Sequence, residues 1–200
     1  MTSKTAKNYV YQLTVQIINL IVPLITLPYI TRVLMAEGYG FYTYTFTVVN
    51  YIVLIGDFGI RIYGIRAIAY AKAISEDQVC RVFSSILFIR VITISILTLG
   101  SATYFSLSTT QNNTLYLLQL LNVVAVAFDI SWFYQGIENF KKVAIRNAIL
   151  KMVYLGSVFL IITQKDDLEI YTLLVGALAI ISNLSYFIGL KKFITIKPFR

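Results

Sequence analysis

The sequence contains no histidine and a single cysteine, Cys80. That removes the commonest metal ligand and leaves no disulfide framework to draw, so neither a metal site nor any other cofactor is called for. Acids are scarce as well, with nine Asp and Glu against 17 Lys and Arg. No acid pair falls within an apolar stretch, which argues against an enzyme built on paired carboxylates. Long polar loops are also missing. Met35–Gly40, Ser106–Thr114 and Thr163–Glu169 are too short to fold into an external domain.

What the chain does contain is apolar sequence. Hydrophobic residues make up 58% of its 200 residues, against about 45–50% in a soluble domain, and mean hydropathy is +0.76. Six runs are close to the ~17–25 residues that cross a hydrocarbon core of about 30 Å: Tyr9–Leu34, Phe41–Phe58, Phe83–Phe105, Leu115–Tyr134, Ile145–Ile162 and Ile170–Leu190. Basic residues gather in alternate gaps. Lys4 and Lys7 precede the first run; Arg61, Arg66, Lys72 and Arg81 follow the second; Lys141, Lys142 and Arg146 follow the fourth; Lys191, Lys192, Lys197 and Arg200 close the chain. The other gaps hold only Arg32 and Lys165. The positive-inside rule then places both termini in the cytoplasm. The expected fold is an all-α integral membrane protein with six transmembrane helices, forming one lobe over residues 1–200. A net charge of +8 is explained by span-flanking bases beside anionic lipid, with no nucleic-acid partner required. The first run is too long for the apolar core of a signal peptide and no small-residue cleavage site follows it, so it reads as an uncleaved span.

The gap 59–82 differs from the rest. Ile60, Ile62, Ile65, Ile68 and Ala69 alternate with Arg61, Arg66 and Lys72, as in an amphipathic linker helix lying on the cytoplasmic face of the membrane. Ser75 followed by Glu76 and Asp77 reads as a helix cap leading into the third span. Pro23 and Pro28 should bend the first.

Polar side chains recur on single faces of several spans. The first carries Tyr9, Gln12, Gln16, Asn19, Pro23 and Thr26 at helical spacing; the second Thr43, Thr47, Asn50 and Asp57; the fourth Gln119, Asn122 and Asp129; the fifth Asn147, Lys151 and Tyr154. Thr172, Gly176, Asn183 and Tyr186 form a weaker seam in the sixth. Such seams are either interhelical hydrogen bonds, worth about 0.6–2 kcal/mol each, or the lining of a hydrated cavity. Their number favours the cavity. Arg90 is the sharpest residue, expected about 10 Å inside the third span at ~1.5 Å per residue. Lys151 is expected nearer the cytoplasmic end of the fifth span. Asp57 and Asp129 read as structural or gating charges, with bases of the cytoplasmic gaps as partners.

Three strings complete the pattern: Leu27-Pro28-Tyr29-Ile30-Thr31-Arg32-Val33-Leu34 followed by Glu37-Gly38-Tyr39-Gly40-Phe41; Gly56-Asp57-Phe58-Gly59-Ile60; and Trp132-Phe133-Tyr134-Gln135-Gly136-Ile137-Glu138. Each stands at a span end, where glycine permits a tight turn and a ring can anchor at the interface. As an ordered set they resemble the bacterial polysaccharide repeat-unit flippases, the Wzx-type members of the MATE-like exporter superfamily. The resemblance runs from Lys7 to Phe199. Met35 and Ala36 depart from the Gly-Pro that often opens the turn after the first span.

The resemblance implies a lobe that faces a second six-helix lobe, or another copy, across a substrate cavity in the bacterial cytoplasmic membrane. It also implies a cargo, undecaprenyl diphosphate carrying an oligosaccharide, which is moved between leaflets without covalent change for O-antigen, capsule or exopolysaccharide. Arg90, then Lys151, then Arg32 are the expected partners of the diphosphate. Gln16, Asn19, Asn50 and Asn122 are expected to serve sugar hydroxyls. A drug or small-solute exporter, a membrane transferase or polymerase on lipid-linked sugars, and an inactive half-transporter remain as alternatives.

Overall fold

The computed structural model describes residues 3–108 and 113–190, and its regular elements there are all helical. They are α1 (Ser3–Val33), α2 (Met35–Asp57), α3 (Ile60–Ile74), α4 (Glu76–Leu107), α5 (Asn113–Ala127), α6 (Ser131–Gly136), α7 (Phe140–Ile161) and α8 (Leu168–Leu184), ending in a 3-10 turn at Ser185–Phe187. Six stretches are long and apolar enough to cross a membrane: Tyr9–Val33, Met35–Ile74, Glu76–Leu107, Asn113–Gly136, Phe140–Ile161 and Leu168–Phe187. Their number is the six expected, and each overlaps one expected span, the second extending to Ile74. The protein is a multi-pass, all-α membrane protein. The tail from Lys191 to Arg200 and residues 109–112 of the polar loop lie outside the described residues.

The stretch 59–82, expected as an amphipathic linker, is helix packed on protein. Phe58 and Gly59 both take positive φ, 41° and 73°, a conformation cheap for glycine and costly for phenylalanine. This break ends α2 and starts α3. The helix then buries Gly64, Ile68 and Ala71 against α4 and α6, while Arg61, Arg66 and Lys72 stay exposed. The apolar residues that suggested a lipid-facing stripe therefore partly face α6, since Ile68 is 0% exposed.

Ser75 caps α4 as its neighbours suggested. It is extended, and its hydroxyl accepts the Gln78 N–H at 3.2 Å, with Glu76 and Asp77 in the first turn where the helix dipole favours acids. α4 thus starts at Glu76, several residues before the apolar run at Phe83. Arg90 consequently sits near the middle of a long helix. A similar shift affects α7, which starts at Phe140 and leaves Lys151 midway to Ile161.

The rings of the Trp132-Phe133-Tyr134 string were expected at a membrane interface, yet all three are 0% exposed. They form the centre of a cluster with Ile68, Phe83, Cys80 and Tyr186 at the end of the bundle where the basic residues gather. Lipid tails are as apolar as leucine, so close approach of helices carries packing here. Gly64 allows it: a Cβ there would lie 2.6 Å from Trp132 Cε3. Gly176 does the same in α8, where a Cβ would lie 2.6 Å from Leu121 Cβ. The α5–α8 pair it serves is the most extensive in the bundle.

Leu121 Cβ is fixed to the backbone and cannot rotate away. Gly176→Val should therefore cost about 1–3 kcal/mol, read as a lower unfolding temperature in detergent. Gly100→Ala adds a Cβ with nothing within 4 Å and should leave that temperature unchanged or raise it. Equal behaviour of the two variants would contradict the close α5–α8 contact.

Candidate functional site

The charged residues inside the bundle fall into two groups with different surroundings. Arg90 is 1% exposed. Its Nη2 donates to Asp57 Oδ1 at 2.9 Å and lies 3.9 Å from Asp129 Oδ2, and its Nε donates to the Val126 carbonyl at 2.8 Å. Asp57 is the last residue of α2, and Asp129 lies in the break between α5 and α6. Asp129 Oδ1 also accepts the Ser131 N–H at 2.9 Å, holding the start of α6. The two aspartates were expected to pair with bases of the cytoplasmic gaps; in the structure Arg90 takes both. Arg90 itself, expected first among the diphosphate partners, is enclosed and engaged with carboxylates.

Lys151 sits in a different environment. No carboxylate among the described residues pairs with it, and its Nζ lies 5.9 Å from the Tyr154 ring centroid. It lines a cavity of about 440 Å³ between α1, the start of α2, α7 and α8. Asn19, Pro23 and Thr26 of α1 line the same cavity, with Asn147 and Tyr154 of α7. A second cavity of about 290 Å³ lies beyond Asn19 and is lined by Gln12, Gln16, Asn19, Arg61 and Gln135. Asn19 belongs to both. The polar seam of α1 from Gln12 to Thr26 thus borders two adjoining volumes, and the whole α7 seam faces one of them.

α1 exposes polar groups there for a local reason. Pro23 has no N–H, so it withholds the donor that the Asn19 carbonyl would accept in an unbroken helix. Thr26 answers within the helix, its hydroxyl donating to the Val22 carbonyl at 3.0 Å. At the far end, Tyr39, Tyr42 and Tyr171 close the larger cavity. Tyr154 and Tyr171 share a hydroxyl contact of 3.2 Å, and the rings of Tyr42 and Tyr171 lie 4.8 Å apart.

The other expected residues disperse. Arg32 is exposed in the last turn of α1 and Asn50 is exposed on α2; neither lines the two cavities. Asn122 is half-buried and donates to Gln119 Oε1 at 2.9 Å within α5. The α8 seam is also internal: Asn183 donates to the Ala125 carbonyl at 2.7 Å, and Thr172 to Leu168 at 2.9 Å. Among these bonds Asn183 to Ala125 joins α8 to α5 and the other two stay within one helix, while the seams of α1 and α7 line open volume. Arg61 and Gln135 were not expected at the site. Arg61 read as one of several gap bases, and only its place at the start of α3 brings it beside α1.

The family described as "Polysaccharide biosynthesis protein" matches residues 5–200. A protein of Escherichia coli (strain K12) named "Putative O-antigen transporter" is 25% identical over 167 residues, covering 82% of this chain and 40% of that protein. One of the same name from Shigella dysenteriae is 26% identical over 163 residues, covering 81% and 41%. The chain spans about two-fifths of the length of these curated relatives. No solved structure matches significantly.

The clasp around Arg90 has an energetic signature. Arg90→Met strands two carboxylates in the bundle and should cost about 3–5 kcal/mol, measured as folded yield and unfolding temperature in detergent. Adding Asp57→Asn should recover part of the loss. A double variant as unstable as the sum of its two singles would show that the pair is not coupled.

Proposed function

The chain belongs to the polysaccharide biosynthesis protein family, and from that premise we propose that it is part of a flippase that carries a lipid-linked oligosaccharide across the bacterial cytoplasmic membrane. The observation that carries this reading is the continuous polar face of α1, which borders two cavities meeting at Asn19 with the unpaired Lys151 beside them. Cationic drugs and small cations would gain nothing from a half-buried ammonium. A diphosphate gains a great deal, because charge-assisted bonds strengthen where water is scarce.

The roles divide by chemistry. Lys151 neutralises part of the diphosphate charge midway through the bundle. Gln16, Asn19 and Asn147 offer amides to sugar hydroxyls, and the tyrosines at the far end of the larger cavity offer rings and hydroxyls. Arg90 contributes rigidity rather than contact. The cargo's chain stays in the bilayer while its head moves past α1, and a second six-helix lobe rocking against this one alternates access. No bond is made or broken, and both curated relatives are named as transporters.

Complementation of polymer export by the full-length gene product tests the reading. Lys151→Gln should lower export at least about tenfold at normal membrane level, equivalent to about 1.4 kcal/mol, while Lys151→Arg retains part of it. Lys165→Gln, at an exposed position before α8, should be silent. Full export by Lys151→Gln would remove Lys151 from the mechanism.

A further inference from the structure

Two depressions are left over once α1 and α7 have lined the two cavities, one of about 530 Å³ between α3 and α6 around Lys72 and Gln135 and a second beside α7. The second measures about 430 Å³, lies between α7 and α8, and is walled by Ile145, Ile149, Leu150 and Ile188 with Lys142 and Arg146 alongside. It opens to the outside of the bundle, because Ile145, Ile149 and Ile188 are 48%, 58% and 74% exposed. The groove exists because its two helices pack elsewhere, α7 chiefly on α1 and α8 chiefly on α5. Apolar exposure alone is ordinary for a membrane helix. Two further observations set this groove apart.

The first is continuity with the polar cavity, since Leu150 lines both volumes. The second is the partition between them, which is a cation. Arg146 Nε donates to Ser185 Oγ at 2.5 Å on the groove side. Its Nη2 donates to Ser182 Oγ at 2.6 Å and its Nη1 to Asn147 Oδ1 at 3.0 Å on the cavity side. The guanidinium also lies 3.4 Å from the Tyr186 ring centroid. An apolar channel, a basic junction and a polar chamber thus follow one another across one helix seam. That order matches an amphiphile with one apolar chain, an anionic linkage and a polar head. The basic residues of the junction complement the linkage, and the exposed isoleucines suit a chain that remains partly in lipid.

We propose that the α7–α8 groove holds the polyisoprenoid chain of the lipid carrier, with the diphosphate between Arg146 and Lys151 and the sugar farther into the polar cavity. The substrate then joins the lobe sideways, between α7 and α8. This rests on the flippase reading and adds to it the site of the chain.

A benzophenone amino acid placed at Ile149 of the full-length gene product, in its own host, reports what fills the groove. Irradiation should yield an adduct with the mass of a polyisoprenoid species, and that adduct should disappear when synthesis of the lipid-linked sugar is blocked. The same probe at Met152, which is exposed on α7 but lines no cavity described here, should give at least about tenfold less. Adducts at Ile149 made only of phospholipid, or of protein, in cells that export polymer normally would overturn the groove and leave the flippase reading standing. A polyisoprenoid adduct in cells whose export does not depend on the protein would support the groove and reject that reading.

Discussion

A guanidinium halfway along a membrane-spanning helix must find anions inside the protein, and the bundle is arranged around that requirement. Arg90 draws the end of α2 and the gap between α5 and α6 to one point of α4. The Val126 carbonyl shows how closely this is tied to the break. It accepts the Asp129 N–H at 3.1 Å as well as Arg90 Nε, so its lone pairs are used as α5 ends. Helix breaks in a bilayer free backbone groups that lipid cannot satisfy. Here Arg90 serves the Val126 carbonyl and Asp129 the Ser131 N–H, while Asp57 at the end of α2 pairs with the same guanidinium. With both breaks held, α3 and α6 can lie against each other through Gly64, Trp132 and Ile68 and close the basic end of the bundle.

That closure separates two kinds of polar seam that look alike as strings. Gln119 and Asn122 pair with each other along α5, and Asn183 crosses from α8 to the Ala125 carbonyl. Gln12, Gln16, Asn19, Asn147 and Lys151 line open volume instead. The distinction follows from packing. α8 fits tightly on α5 through Gly176, whereas α1 has only bulkier residues and two prolines to offer α7, so space remains beside its polar face.

Much of this was legible in the sequence. Run length and charge placement sufficed for six spans, because the bilayer leaves a chain few other choices. The Ser75 cap and the facing seams of the first and fifth spans were readable for the same reason, since both are local or follow helical period. Three features were not. The length of α4 and α7 beyond their apolar runs moved Arg90 and Lys151 to mid-helix, as hydropathy does not register a capped polar first turn. The 59–82 stretch carries an amphipathic pattern that suits a lipid surface and a protein groove equally, and only Trp132 decides between them. The pairing of Asp57 and Asp129 on one arginine joins positions far apart in sequence, which no spacing rule connects.

The central claim is that water reaches the polar face of α1 while the opposite face meets lipid. Cysteine substitution along that helix tests it directly, because Cys80 is the sole cysteine and is buried. A membrane-impermeant thiol reagent should label cysteines placed at Gln12, Gln16 and Asn19, which are exposed on that face, in sealed vesicles of one or the other orientation, and should spare those at Ile17, Leu20 and Leu24. Labelling with helical period confined to the seam is the result this structure predicts. Uniform protection of the whole helix, or labelling at Leu20 and Leu24 as strong as at Asn19, would contradict it.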